Sequence, residues 1–428
     1  MTSAREAART IVRRLVDAGH VAYFAGGCVR DELLGDHPED YDVATDATPE
    51  QVEAMFRRTR AVGKVFGVVL VTEDGHTIEV ATFRREHGYS DSRRPDGVVF
   101  TDAEEDARRR DFTINALFLD PLDTGERAKG RIIDFVGGLA DLDARVIRAV
   151  GDPDERLSED HLRALRAVRF AARLGFHIDE STSAAIHRHA VELRGVSRER
   201  IGDELRRMLS HPRREGAVSL MQRLGLDAPV LEESGLPRAP TATVGGLLRE
   251  ASFSLGLAAW CADRAGVPGG PGGTDGEPVG AVVLRTMTPE LVRRLRRALC
   301  LTNDERDRLR RLLTDLVRVE DDWAGLGVAA KKRLAASEHF PELLALCAAR
   351  DPGVATGVRS DVAALAGDGV GLAPAALLTG DHLVEQGFSP GPGFARWLES
   401  VYDAQLEGRV RTLEEALALA ENLRKSGG

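Results

Sequence analysis

The stretch from residue 24 to 46, FAGGCVRDELLGDHPEDYDVATD, constrains the fold most strongly because it joins a glycine pair, an arginine and two closely spaced aspartates. Gly26 and Gly27 follow an apolar run that predicts a strand, so the backbone at this turn could approach phosphate oxygens without an intervening Cβ. Arg30 would add a fork of hydrogen-bond donors. Taken alone, the fragment is more typical of a surface turn followed by a solvated acidic loop, so the segments downstream must decide.

The two aspartates of this stretch are Asp40 and Asp42. Side chains alternate between the two faces of a strand, so a strand through this segment would present both carboxylates on one face. Mg²⁺ prefers such oxygen ligands and commonly takes others from water and phosphate. The stretch therefore predicts a site for a nucleoside triphosphate together with its metal.

Composition excludes several classes of protein. The chain has 428 residues, enough for about two to four domains, and its 43% hydrophobic and 29% charged residues are those of a globular protein. A net charge of -10 argues against a protein that coats nucleic acid through its overall charge, although local basic tracks remain compatible with it. The four widely spaced cysteines indicate reduced thiols in a cytoplasmic protein, with no disulfide framework or zinc site. No signal peptide or membrane span is expected.

Secondary-structure patterns divide the chain into two parts. Residues 1–150 mix strand and helix signals as in an α+β domain, including a helix that begins at Thr48 and a hairpin of residues 68–72 and 77–83. A polar, mobile loop is predicted at 84–97. From about residue 155 onward the patterns indicate almost only helices, interrupted by a disordered Gly/Pro-rich connection at 266–278.

Glu79 is a candidate third carboxylate. It lies on the second strand of the hairpin, between Ile78 and Val80, so its side chain points away from theirs. It lies either on a solvated sheet face or in a site. If the sheet brings it beside Asp40 and Asp42, the three carboxylates would repel one another strongly unless a cation were bound.

The segment RRDFTINAL, residues 109–117, offers groups that suit phosphate or ribose. Asp111 is predicted to cap a following helix, on which Asn115 would share its face, and Arg110 comes just before. A capped surface helix is an equally good interpretation of this segment alone.

Four charged residues follow at three-residue spacing in SEDHLRALRAVRF, a helix predicted to be capped by Ser158; they are Asp160, Arg163, Arg166 and Arg169. This spacing turns each side chain about 60° from the previous one, and Asp160 can reach Arg163 as an i, i+3 pair. A solvated, salt-bridged helix face is the ordinary interpretation. Alternatively, a paired Asp and Arg present the acceptor and donors needed to read a base edge.

Six segments occur in the order, and at about the spacing, of the class II tRNA nucleotidyltransferases, the CCA-adding enzymes, which the chain resembles closely over residues 20–210. These segments are GGCVRD, DYD, EVATFR, RRDFTINAL, SEDHLRALRAVRF and RERIGDELRRML. The resemblance implies a polymerase-β-like nucleotidyltransferase head at 1–150 (a mixed sheet with helices), an all-helical neck at 151–212, a body at 213–345 and a tRNA-binding tail at 346–428. No HD dipeptide occurs, so a phosphohydrolase domain is not expected.

The resemblance also implies roles for individual residues. Asp40 and Asp42 would hold two Mg²⁺ ions, with Glu79 as a supporting carboxylate. The triphosphate and ribose would be bound by Gly26, Gly27, Arg30, Arg110, Asp111 and Asn115. Asp160 and Arg163 would select CTP or ATP by their base edge, and Arg166 and Arg169 would contact phosphates.

The implied reaction adds C, C and A to the 3′ end of tRNA from CTP and ATP, without a membrane partner. The loop from Arg84 to Pro95 resembles the loop needed for the final A. Basic helix faces carrying Arg206, Arg207, Arg213 and Arg214 are expected to contact tRNA phosphates.

Two alternatives remain open from the sequence. One is a poly(A) polymerase or an A-adding enzyme of the same superfamily, against which GKVFG at 63–67 favours the CCA branch. The other is a non-catalytic RNA-binding protein on the same scaffold. The presence of both metal carboxylates and of the matched arginines disfavours it.

Overall fold

The computed structural model describes residues 3–61, 67–87, 97–123, 130–233, 239–265, 280–389 and 391–426. Contacts within the chain define two compact units. The first consists of Met1–Met208 and Gly216–Ser234, and the second of Leu209–Glu215 and Gly235–Gly428. The predicted boundaries at 150, 212 and 345 stay predictions.

The first unit contains a mixed seven-stranded sheet in the part of the chain that is described. Its strands follow the order β3-β4-β5-β2-β1-β8-β9, and β2 and β5 are parallel neighbours. The bounds are β1 Ala22–Ala25, β2 Asp42–Thr45, β3 Thr59–Ala61, β4 Val68–Glu73, β5 His76–Thr82, β8 Phe118–Asp120 and β9 Arg131–Ile133. Two small sheets pair β6 Arg84–His87 with β7 Gly97–Phe100, and β10 Val146–Ile147 with β11 His177–Ile178.

Helices surround this sheet and continue beyond it. The bounds are α1 Ala4–Asp17, α2 Gly27–Leu34, α3 Pro49–Met55, α4 Ala103–Arg108, α5 Gly138–Ala144, α6 Pro153–Glu159, α7 Arg163–Leu174, α8 Glu180–His189, α9 Arg198–Leu209, α10 Arg214–Arg223 and α11 Asp227–Leu231. One face of the sheet packs against α1, whose Ile11 and Leu15 are fully buried. The other face carries a core that includes Phe83 and Phe118.

The described part of the second unit is helical. Its helices are α12 Ala242–Gly246, α13 Phe253–Ala265, α14 Gly280–Ala298, α15 Asn303–Asp322, α16 Val328–Ala335, α17 Phe340–Arg350, α18 Pro352–Ala366, α19 Gly380–Glu385, α20 Pro392–Leu406 and α21 Leu413–Ser426. Trp260 of α13 is almost fully buried, and a separate apolar cluster joins α19, α20 and α21 around Leu383 and Val401. The predicted α+β head followed by helices is confirmed. None of the described helices is long and apolar enough to cross a membrane.

Several local predictions agree with the structure. Thr48 and Gln51 form a capping box at the start of α3. The hairpin of β4 and β5 turns at Asp74 and Gly75, both with positive φ, as a tight two-residue hairpin turn requires. Cys28 and Cys347 are free thiols.

Two predicted helices are interrupted. Ser158 lies inside α6 rather than at a cap, and Asp160 is extended with φ -150° and ψ 100°, so a break separates α6 from α7. The segment LVRRLRRALCLTNDERDRLRRLL is likewise split between α14 and α15, where Thr302 and Glu305 form a new capping box. The capping box explains the new start at α15, whereas α7 begins after Leu162 without a side-chain cap.

Arg214 corrects an expectation about tRNA contacts. Its side chain is 1% exposed, and it donates to the backbone carbonyl oxygens of Leu209, Leu248 and Arg249 at 2.7–3.0 Å. A guanidinium enclosed in this way ties backbone segments of the second unit together and is not available to a phosphate. Arg213, next to it, is exposed.

Arg214→Met is therefore expected to destabilise the protein by at least about 2 kcal/mol, because it leaves buried carbonyl oxygens without donors. The measurement is the urea midpoint of the second unit's unfolding transition. Arg213→Met, one residue away and exposed, serves as the control and should change it little. Equal effects of the two substitutions would contradict the structural role of Arg214.

Candidate active site

A cavity of about 650 Å³ opens on the first unit beside the ends of β1, β2 and β5. All the predicted site residues line it except Asp40 and Arg169. Its wall is rich in arginine, with contributions from Arg30, Arg84, Arg109, Arg110, Arg163 and Arg166. A cavity of this size accommodates a ligand as large as a nucleoside triphosphate, and its charge suits an anionic one.

The acidic edge of the cavity is built by strand register. Asp42, the first residue of β2, lies directly opposite Glu79 of the parallel strand β5. Opposed residues of neighbouring strands point to the same face, so both carboxylates line the cavity. Ala44 and Ala81 follow on that face and leave room in front of the acids.

Asp40 is not on the strand, contrary to the prediction, because β2 begins only at Asp42. A buried side chain between the two aspartates, Tyr41, orders the segment instead. Tyr41 donates to Glu32 at 2.6 Å and packs edge-on against Phe24 at 5.2 Å. Neighbouring side chains of an extended chain point to opposite sides. Because Tyr41 points into the core, Asp40 and Asp42 point away from it.

The three carboxylates influence one another electrostatically. Partial desolvation of the Asp42 carboxyl, together with the charges of Glu79 and Asp40, raises the pKa of Asp42 to about 6, against the opposing charge of Arg110. A carboxylate whose ionisation is penalised by neighbouring carboxylates suits a hard divalent cation. Asp40, Asp42 and Glu79 are thus the residues that could hold a metal.

The glycine turn lies beside this acidic edge. Gly26 has φ +73°, and a Cβ there would lie 2.9 Å from Nη1 of Arg110, so a larger residue would be both strained and crowded. Gly27 begins α2, and both glycines line the cavity. The amino-terminal end of α2 and its bare backbone therefore face the space in which an anionic ligand would lie.

A hydrogen-bonded chain links Arg30 to helix α7. Arg30 is buried and donates to Asn115 Oδ1, while Asn115 Nδ2 donates to Asp111 at 3.1 Å. Asp111 also accepts two bonds from Arg166, at 2.8 and 2.6 Å. Burial opposes ionisation of Asp111, but the charge of Arg166 and these hydrogen bonds outweigh it and lower the pKa of Asp111 to about 2.

The secondary structure predicted after Asp111 is wrong, although the predicted contact is present. The residues that follow form a single 3-10 turn, Thr113–Asn115, rather than an α-helix, and Asp111 does not cap it. The side chains of Asp111 and Asn115 still meet, because the 3-10 turn brings them within hydrogen-bond distance.

Sequence reasoning missed Asp106, which positions the arginines on one side of the cavity. Its buried carboxylate accepts from Arg109 at 2.6 Å, from Arg110 at 3.0 Å and from the backbone N–H of Arg84 at 3.2 Å. Burial works against the charge of Asp106, but both arginines lower its pKa. The i, i+3 and i, i+4 spacing to Arg109 and Arg110 was a usable signal. Arg84, Arg109 and Phe170 were also not predicted as site residues.

Asp160 and Arg163 both line the cavity but are not paired with each other as predicted. Asp160 accepts two bonds from Arg200, at 3.2 and 2.6 Å, whereas Arg163 donates to Glu159 and to the carbonyl oxygen of Arg156. The break between α6 and α7 explains the difference, because the i, i+3 geometry requires a continuous helix.

Arg169 lies away from the cavity. Its side chain is buried, donates to Glu204 at 2.6 Å and stacks over the ring of Phe170 at 4.2 Å. Arg169 therefore connects α7 to Glu204 of α9, whereas Arg166 lies at the cavity wall.

Several sequence features fall wholly or partly outside the described residues. These are most of the predicted loop (88–96), residues 63–66 of GKVFG, and the Gly/Pro-rich connection 266–278.

Two segments of the chain match models of known protein families. A model of the poly A polymerase head domain matches residues 22–148, and a model of the probable RNA and SrmB-binding site of polymerase A matches residues 175–234. The CCA-adding enzyme of Latilactobacillus sakei is 46% identical over 217 residues, which are 50% of this chain and 53% of that protein. The CCA-adding enzyme of Bacillus subtilis is 46% identical over 200 residues, 46% and 49% of the two chains. The chain thus matches about half the length of these curated relatives.

Solved structures extend the likeness over the whole chain. The CCA-adding enzyme of Bacillus stearothermophilus in complex with CTP covers 99% of both chains with a TM-score of 0.72 and 29% identity. The chain is thus similar to CCA-adding enzymes, in sequence over about half of its length and in fold over nearly all of it. The Thermotoga maritima CCA-adding enzyme complexed with tRNA shares the fold, with a TM-score of 0.66 and 20% identity over 97% of this chain and 94% of that one. The match to the poly A polymerase head domain supports dependence on a divalent metal.

The raised pKa of Asp42 predicts a pH-dependent cost in stability when no metal is bound. The folded-state pKa of about 6 exceeds the ordinary value of 3.8, so the cost is fully present above pH 6 and disappears as the pH falls toward 4. Asp42→Asn should therefore raise the unfolding temperature at pH 7.5 in EDTA, and the gain should shrink between pH 6 and 4.

The control is Asp36→Asn, an exposed position in the loop between α2 and β2. It should leave the unfolding temperature nearly unchanged. An Asp42→Asn protein that gains nothing at pH 7.5 would show that the three carboxylates are not mutually destabilising.

Proposed function

We propose that this protein adds C, C and A to the 3′ end of tRNA, using CTP and ATP and releasing pyrophosphate without a nucleic-acid template. The observation that carries this proposal is the cavity where Asp42 and Glu79 meet the glycine turn and a wall of arginines. Sequence similarity supports the same reaction, since the relatives named above are CCA-adding enzymes. Enzymes of that name have been solved with CTP, ATP and tRNA.

The metal is proposed to be Mg²⁺, held by Asp40 and Asp42 with Glu79 in support, because all three offer hard oxygen donors. Two such ions would lower the pKa of the tRNA 3′-hydroxyl and neutralise the departing pyrophosphate. The residues around the cavity would then bind and orient the triphosphate, and no protein nucleophile is needed.

The arginine wall is proposed to hold the triphosphate in a preorganised geometry. Arg110 is fixed by Asp106 and by the carbonyl oxygen of Asn115, and Arg166 is fixed by Asp111. Side chains locked in this way lose little conformational freedom when a ligand binds. Gly26 and Gly27 would allow the phosphates to approach the backbone.

Base selection is proposed to lie with Asp160 and Arg163, which stand on the opposite wall. Both C and A present an exocyclic amino donor beside a ring-nitrogen acceptor, an order that neither U nor G offers. Asp160 accepts two bonds from Arg200 and one from the backbone N–H of Leu162, which leaves capacity for one more donor, since a carboxylate has about four lone-pair positions. Arg200 and Glu159 would orient the two reading groups.

Contacts with tRNA outside the cavity are proposed along exposed arginines such as Arg207 and Arg213. Such contacts would be salt-sensitive. Since tRNA maturation occurs in the cytoplasm, we place the enzyme there as part of the proposal.

The direct test uses purified protein, Mg²⁺ and a tRNA transcript that lacks its last three nucleotides. With CTP alone the transcript should grow by two residues, and with CTP and ATP by three and no more. Asp42→Asn should reduce the rate by a factor of about 1,000 or more, because one carboxylate that holds the metals is lost, while Asp36→Asn should act as the unsubstituted protein does.

Other outcomes have defined meanings. Long tails made from ATP alone would replace the proposal with poly(A) synthesis, and addition of a single A only to tRNA already ending in CC would identify an A-adding enzyme. Binding of tRNA without incorporation of any nucleotide would indicate a non-catalytic RNA-binding protein.

Arg163→Ala should relax base choice. The ratio of CTP to UTP incorporation should fall about tenfold, since one base-edge contact contributes about 1–3 kcal/mol of discrimination. Competition between labelled nucleotides within one reaction measures this ratio independently of the folded fraction. Arg173→Ala, on the same helix but outside the cavity, is the control. An unchanged ratio in Arg163→Ala would contradict the base-reading role.

A further inference from the structure

A second cluster of ligand-type side chains lies outside the cavity, in the neck part of the first unit. His161 follows Asp160 in the break between α6 and α7, His189 ends α8, and Glu192 lies in the 3-10 segment Ala190–Gly195. The two imidazole rings stack at 23°, with their centroids 6.3 Å apart. The cluster plays no part in the proposed nucleotidyl transfer.

Three potential ligand atoms of this cluster converge. Nδ1 of His161 and Nδ1 of His189 lie 3.1 and 2.7 Å from the same atom, Oε2 of Glu192, and all three atoms are within 4.8 Å of one another. In a tetrahedral zinc site with bonds of about 2.0–2.1 Å, neighbouring ligand atoms are about 3.4 Å apart. A small adjustment of the side chains would therefore enclose an ion.

The environment of His161 gives a second, independent indication. Its Nδ1 atom is shielded from solvent and, although it lies 3.1 Å from Oε2 of Glu192, has no hydrogen-bond partner. A buried ring nitrogen without a hydrogen bond is costly. Coordination to a cation would satisfy it.

His189 is held in the orientation that a ligand needs. Its Nε2 lies 2.9 Å from Oδ1 of Asp154, and Arg188 donates two bonds to the same carboxylate, at 3.2 and 2.6 Å. Histidines that bind metals commonly donate their other ring N–H to a carboxylate, which fixes the tautomer and the ring. Here that arrangement directs Nδ1 of His189 toward His161 and Glu192.

We propose that His161, His189 and Glu192 form a binding site for a divalent transition metal of the zinc class, with Asp154 as the positioning residue of His189. Two imidazole nitrogens and one carboxylate select Zn²⁺ or Co²⁺ over Mg²⁺. Glu192 is 42% exposed, so a fourth coordination position is open to water. A bound ion would fasten the Ala190–Gly195 segment to the junction next to Asp160.

The test uses full-length protein without a polyhistidine tag, stripped with chelator and then returned to excess Mg²⁺ to saturate the hard carboxylate site. Titration with Co²⁺ should give one equivalent of binding, with visible absorption bands of four-coordinate Co²⁺, and Zn²⁺ should displace it. His161→Ala and His189→Ala should abolish these bands. Asp154→Asn should keep them while weakening affinity by about 10–100-fold.

His177→Ala is the matched control, since His177 is an exposed histidine of the same unit and is not part of the cluster. It should bind Co²⁺ as the unsubstituted protein does, and circular dichroism verifies that each variant is folded. Absence of stoichiometric Co²⁺ binding in the unsubstituted protein would overturn the proposal and leave a histidine–carboxylate ion-pair network. Unchanged bands in folded His161→Ala and His189→Ala would equally overturn it.

Discussion

The parallel pairing of β2 with β5 is the interaction on which the candidate active site depends. It places Asp42 directly opposite Glu79 on one face of the sheet, whereas a shift of one residue would turn one of them into the core. Val43 and Val80, the next pair in register, are both buried and fix this alignment through the hydrophobic effect. The apolar face of the sheet thus determines where the acids lie.

Paired aspartate and arginine side chains lie around that acidic edge. Asp106 and Asp111 stay ionised because arginines surround them, and in return they hold Arg110 and Arg166 at the cavity wall. Asp42 has the opposite environment, since desolvation and the charges of Glu79 and Asp40 raise its pKa more than Arg110 lowers it. The region around the cavity therefore contains two kinds of carboxylate. Asp106 and Asp111 are hydrogen-bonded to arginine side chains, whereas Asp42 lies beside other carboxylates. This separation of roles is what the proposed metal-dependent reaction requires.

Sequence patterns predicted the structure correctly where strand alternation or turn residues decide which way a side chain or the backbone points. Alternation predicted that Glu79 points away from Ile78 and Val80, which are buried while Glu79 lines the cavity. The turn residues Asp74 and Gly75 located the hairpin between β4 and β5. Sequence patterns failed where distant partners compete with local ones. Asp160 pairs with Arg200, forty positions away, and buried Arg214 binds carbonyl oxygens rather than solvent or RNA. The spacing of residues along the chain does not predict such tertiary contacts. The extended backbone at Asp160 alone prevents the predicted i, i+3 pair with Arg163.

The central claim is that Asp40, Asp42 and Glu79 form the divalent-cation site next to the nucleotide cavity. Anomalous scattering from crystals soaked with Mn²⁺ and a non-hydrolysable CTP analogue tests it most directly. The account predicts anomalous peaks within about 2.2 Å of carboxylate oxygens of Asp40 and Asp42, with the triphosphate beside Gly26 and Gly27. Nucleotide bound in the cavity with Mn²⁺ coordinated elsewhere, and neither aspartate in contact with it, would contradict it.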